Sequence, residues 1–169
     1  PKWARSGSQT WRDSDHRLLF PLWNAEGSLC SVHARLVESG QTERAKGLFP
    51  ASHSAGGLFL ADSFALLLIR SGVPKWWRQR EPPSVIITEG APDFLTVATH
   101  YGCSEYAPAV LGILSGSWSD ELAARIPTEC RVIVKVHRDE AGQKYRDQIC
   151  RSLSGRCRVF VDAGEVAHV

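Results

Sequence analysis

The sequence has no methionine, no long apolar run and no paired-cysteine motif, and each absence narrows the classes of protein it can belong to. The longest uninterrupted apolar stretch, Phe64 to Ile69, is six residues. A membrane-crossing helix needs roughly 20, so neither a transmembrane span nor a membrane partner is expected. The polar opening, residues 1–15, holds no apolar segment that could serve as a secretory signal. Cys30, Cys103, Cys130, Cys150 and Cys157 are odd in number, widely spaced and free of any Cys-x-x-Cys pair. They suggest neither a disulfide framework nor a zinc ribbon, and they point to a reducing, cytoplasmic setting. A chain without Met that opens on Pro1 reads as a piece of a longer protein, although removal of an initiator before Pro gives the same start.

What is present is an average globular composition. The 169 residues are 43% hydrophobic and 22% charged, enough for one sizeable core and too apolar for the disordered class. The net charge of +2 hides an asymmetry: residues 1–80 carry eleven Lys/Arg and six Asp/Glu, whereas residues 81–169 carry nine and twelve. A basic part beside an acidic part suits a metal-dependent enzyme of nucleic acids, in which cations hold phosphates and carboxylates hold a divalent ion. A random scatter of surface charge would give the same arithmetic.

Residues 17–23 and 28–37 are apolar enough for two strands and flank Asn24-Ala25-Glu26-Gly27, so they predict a β-hairpin. A surface loop over residues 38–57 follows, then a short run from Leu58 and a helix over 64–70, capped by Asp62 or Ser63 and ended by Gly72. The basic, aromatic stretch Lys75 to Arg80 runs into Pro82-Pro83 and marks a boundary. Arg78 and Arg80, with Trp76 and Trp77, are candidates for single-stranded nucleic-acid contacts, or a core tryptophan with its rim. Beyond it, strands at 84–88, 107–111, 131–136 and 158–161 alternate with helices at 93–101, 119–125 (capped by Ser117) and 141–153. Such alternation predicts an α/β fold, a parallel sheet flanked by helices, preceded by a small β-rich basic subdomain. The domains expected are residues 1–83 and 84–169.

Ligands of an open parallel sheet bind at the carboxyl ends of its strands. Glu89-Gly90-Ala91-Pro92-Asp93 follows one strand, His137-Arg138-Asp139-Glu140-Ala141-Gly142 follows another, and a Gly-rich loop at 112–117 follows the strand between. Carboxylates gathered there repel one another, and a bound divalent cation is the usual resolution. Each motif alone has a plainer reading, because acids at helix starts are favoured by the macrodipole with no ligand present. His137 has a plainer reading of its own, as a neutral histidine hydrogen-bonded at a helix start.

Together these residues resemble the TOPRIM domain of bacterial-type DNA primases, topoisomerases and some nucleases, whose pattern is a strand followed by Glu-Gly with a nearby Asp, then a strand followed by Asp-x-Asp. TEGAPD supplies Glu89, Gly90 and Asp93, and HRDEAG supplies Asp139, Ala141 and Gly142. The resemblance covers about residues 84–162, and residues 17–35 look like the basic subdomain that precedes TOPRIM in primases. It implies a primase-like catalytic core of a DNA replication protein, carried by a mobile element or phage, that joins nucleotides on single-stranded DNA. Glu89 and Asp139 would be catalytic, and Glu89, Asp93, His137 and Asp139 would hold Mg²⁺ or Mn²⁺. Arg35, Lys46 and Lys144, with Arg78 and Arg80, would contact nucleic acid or nucleotide. The partners implied are a single-stranded template, nucleoside triphosphates and a helicase. One departure matters: His137 stands where the family has the first Asp of Asp-x-Asp, and imidazole suits Mn²⁺ or Zn²⁺ better than Mg²⁺. A TOPRIM nuclease and a binding module without catalysis are the alternative readings.

Overall fold

Val85, Ile86 and Ile87 form an apolar run without alternation, and all three are buried, so this strand is covered on both faces. It is β7 (Ser84–Glu89), an inner strand of the parallel half of an eight-stranded sheet in a computed structural model that describes residues 3–6, 8–37, 45–51, 53, 55–78, 82–102, 107–114 and 116–162. On one side of β7 lie β9 (Arg131–Lys135) and β10 (Arg158–Val161), and on the other β8 (Ala109–Ile113), all parallel to it or to one another. The antiparallel half then continues through β6 (Phe59–Ala61), β3 (Leu18–Trp23), β4 (Leu29–Arg35) and β5 (Gly47–Leu48). A separate small hairpin pairs β1 (Arg5–Ser6) with β2 (Gln9–Thr10). The α/β class with a parallel sheet and flanking helices is as expected, and the sheet is continuous across residue 83.

Two cores cover the two faces. Ala65, Leu68 and Ile69 of α1 (Ser63–Ser71), Leu122 and Ala123 of α4 (Asp120–Arg125), and Ile149 and Leu153 of α5 (Glu140–Leu153) pack on one face with Val85, Ile87, Leu111 and Val132. Ala91, Phe94 and Val97 of α3 (Gly90–Tyr101) cover the other with Phe20, Leu22, Ile86 and Val110. The hairpin turn is as expected: Gly27 sits at φ +73° and its N–H donates to Asn24 O at 2.8 Å. Asp62 caps α1 by accepting from Ala65 N at 2.7 Å. The short α2 (Lys75–Arg78) occupies the boundary stretch, with Trp77 buried in the core.

Several boundaries differ from the sequence reading, and β5 lies within the stretch expected to be a surface loop. Helix α3 starts at Gly90, because the φ of +80° there reverses the chain directly after β7. β8 starts two residues late, after Pro108, which has no N–H for the ladder. Ser119, not Ser117, caps α4: Ser119 Oγ accepts from Leu122 N at 3.2 Å, whereas Ser117 Oγ accepts from Leu114 N at 2.6 Å and closes the preceding loop. Among the described residues no helix is long and apolar enough to cross a membrane.

Candidate functional site

The carboxyl ends of β7, β8 and β9 open into a cleft of about 620 Å³. Glu89, Gly90, Pro92 and Asp93 form one wall, and His137, Ala141 and Tyr145 form another. Ile113 and Leu114 make an apolar patch in its lining, and Arg35 and Lys46 complete it from the antiparallel half of the sheet. Side chains more than 50 residues apart in sequence therefore meet across one space.

The acids are held by local necessity. Gly90 turns the chain so that Asp93, in the first turn of α3, is directed inward and is only 2% exposed. A buried carboxylate needs a donor or a cation, and His137 Nε2 supplies one at 2.9 Å from Asp93 Oδ2. The backbone N–H of His137 donates to Glu89 Oε2 at 3.1 Å. One residue thus ties both acids of the first motif to the loop after β9.

Asp139 has a different environment. It is the N-cap of α5, its Oδ1 accepting from Gly142 N at 2.8 Å, and it does not line the cleft. Gly142 explains why a glycine follows: a Cβ there would lie 2.1 Å from His137 O and 3.0 Å from Glu89 Oε2. A side chain at 142 would therefore collide first with the His137 carbonyl and then with the Glu89 carboxylate. Among the described residues no three His, Cys, Asp or Glu side chains stand close enough to hold a metal ion.

The structure brings together five of the residues singled out in the sequence: Arg35, Lys46, Glu89, Asp93 and His137. Half-burial pushes the pKa of the Arg35 guanidinium down from its ordinary value, because removal from water disfavours the charged form. Lys144 lies outside the cleft, exposed and paired with Glu140 at 2.8 Å, because the i, i+4 partner on its own helix is the nearer carboxylate. The side chain of Arg78 and all of Arg80 lie outside the described residues. Sequence reasoning missed Tyr145, whose hydroxyl accepts from Gly116 N at 2.8 Å and donates to Leu114 O at 3.3 Å, pinning the loop after β8 to α5.

Neither a protein-family model nor a curated protein matches the chain. Solved structures do. The Aquifex aeolicus primase, with its zinc-binding and RNA polymerase domains, aligns at a TM-score of 0.53 and 16% identity, over 86% of this chain and 33% of that one. The DnaG primase catalytic domain bound to single-stranded DNA aligns at 0.55 and 15%, over 89% and 45%. A bacteriophage T7 complex, in which the lagging-strand DNA polymerase interacts with primase domains of two gp4 subunits, aligns at 0.51 and 19%, over 88% and 67%. The chain spans about a third of the Aquifex chain and less than half of the DnaG domain. Its fold is that of the catalytic domains of DnaG-type primases.

Proposed function

We propose that this chain is a primase-like catalytic core that joins nucleotides on a single-stranded DNA template, using Mg²⁺ or Mn²⁺. One observation carries the reading: Glu89, Asp93 and His137 face Arg35 and Lys46 across a single cleft at the carboxyl ends of the parallel strands. Acids opposite cations are the arrangement that a nucleoside triphosphate with its divalent ion requires. In chemical kind, though not in the spacing they have among the described residues, the donors suit such an ion. Glu89, Asp93 and Asp139 offer hard oxygens and His137 a nitrogen, a mixed set that favours Mn²⁺ over Mg²⁺. When bound, the ion would neutralise charge on the phosphates and favour attack by a 3′-hydroxyl.

The chain's own residues do the rest. Arg35 and Lys46 would bind and orient phosphate, and Glu89, whose carboxylate accepts from the His137 N–H, would hold the ion or move the hydroxyl proton. Asp139 fixes the start of α5 by accepting from Gly142 N. Arg78 and Arg80 would add phosphate contacts, whereas Lys144, paired with Glu140 outside the cleft, would not. In this reading residues 1–83 contribute the template and nucleotide cations, residues 84–169 contribute the acids, and a helicase is the protein partner implied.

A second reading, binding without catalysis, is favoured by the imidazole of His137 on Asp93, which sets a nitrogen where an oxygen ligand would serve Mg²⁺ best. Template-dependent incorporation of labelled ribonucleotides on single-stranded DNA with Mn²⁺ separates the two. Glu89→Gln should lower that rate by about 10²–10⁴-fold while template binding persists. Binding of template with no incorporation in the wild type selects the second reading, and strand cleavage instead of synthesis would make the chain a nuclease.

A further inference from the structure

A file of rings runs across the antiparallel half of the sheet. Phe94 of α3 meets Phe20 of β3 edge-on, with centroids 6.4 Å apart. Phe20 meets His33 of β4 at 6.4 Å, and His33 stacks on Phe49 at 4.8 Å with an interplanar angle of 18°. Phe94, Phe20 and His33 are buried, whereas Phe49, the last ring, is 38% exposed.

The ring beneath Phe49 is fixed in place. A Cβ on Gly47 would lie 2.2 Å from His33 Nε2, so the imidazole rests directly on the β5 backbone, and only glycine permits that approach. Its Nδ1 is buried and has no hydrogen-bond partner among the described residues. The imidazole therefore contributes a flat, neutral face in support of Phe49 rather than a polar contact.

The surroundings say what would lie on the outer face. Strand residues two apart share a face, so Arg35 stands on the same side of β4 as His33, and Arg35 lines the cleft with Lys46, three residues before Phe49. An exposed, rigidly backed aromatic ring beside a guanidinium and an ammonium is the combination that takes up single-stranded nucleic acid, with bases on rings and phosphates on cations.

We propose that Phe49 is a base-stacking platform, on which one unpaired base of single-stranded DNA lies while its phosphates reach Lys46 and Arg35. The proposal rests on the nucleic-acid reading above and adds to it a contact to the base, which the acids and cations of the cleft do not provide.

Fluorescence anisotropy tests it with labelled oligo(dT) and an abasic phosphodiester strand of equal length. Wild type should bind oligo(dT) about tenfold tighter than the abasic strand. Phe49→Ala should bind both at the abasic level with an unchanged salt dependence, because no phosphate contact is lost. Phe49→Trp should restore the preference, and its emission in excess of wild type should be quenched by oligo(dT) and not by the abasic strand. Equal binding of oligo(dT) by wild type and Phe49→Ala, or no preference over the abasic strand in wild type, overturns the platform alone. Absence of binding to either strand at low salt overturns the nucleic-acid reading, and the platform with it.

Discussion

Burial of His33 ties the stability of the molecule to pH. Removal from water, together with the like charges of Arg35 and His16, pushes its imidazole down from 6.5 to about 4. As pH falls below 6.5, the unfolded chain takes up a proton that the folded chain refuses. The stability from this group is thus complete above about pH 6.5 and is lost progressively down to about pH 4. The loss is about 2 kcal/mol after allowance for solvent screening. Thermal melts of the wild type at pH 7, 5.5 and 4 should fall more steeply than those of His33→Leu, which has no proton to bind. Parallel curves for the two proteins would assign the acid sensitivity to carboxylates elsewhere. Nothing in the sequence around His33 announces this, since its environment is made by Gly47 of β5 and by Phe49 just after it. By contrast Glu89, Asp93 and His137 were legible, because each stands within a few residues of a strand's carboxyl end and the parallel topology aligns those ends.

At the scale of elements, the loop after β8 is held by α5. Tyr145 satisfies Leu114 O and Gly116 N, and Gly116 O accepts from Gly57 N at 3.2 Å, so the lip of the cleft is tied from both sides. Tyr145→Phe keeps the ring in the cleft wall and removes both hydroxyl contacts. Stability should fall by only about 1 kcal/mol, because Gly116 is exposed and water replaces its partner. Amide exchange at Gly116 should accelerate well beyond that at Leu111 inside β8; equal acceleration at both would mean that the hydroxyl supports the whole domain rather than the loop. The alternation of strands and helices was readable because β-branched runs and capped amphipathic segments carry local signals. Tyr145 was not, because its partners are backbone groups about 30 residues away, and backbone groups leave no trace in residue identity. The start of β8 and the cap of α4 were misplaced for the converse reason: Pro108 and Ser119 compete with neighbours of similar local preference, and tertiary pairing decides between them.

Over the whole molecule, the charge asymmetry of the sequence becomes a spatial one. Arg35 and Lys46 come from the antiparallel half and Glu89 and Asp93 from the parallel half, and the cleft lies between them. A net charge of +2 gives little long-range attraction for a polyanion, so affinity for single-stranded DNA should come from a few local contacts and be weak. Each phosphate neutralised releases counterions and contributes about −0.7 to the slope of log affinity against log salt. Arg35 and Lys46 alone predict a slope near −1.4, and contacts from Arg78 and Arg80 would steepen it toward −3. Lys46→Ala and Arg35→Ala should each flatten the slope by about 0.7, and the double variant by about twice that. Lys144→Ala should leave it unchanged, because that ammonium already pairs with Glu140 outside the cleft. Titrations at four salt concentrations measure the slopes. A wild-type slope near zero, or one that survives the double variant, would show that the cations of the cleft do not hold the strand. The division of labour between the two halves of the sheet would then fail as well.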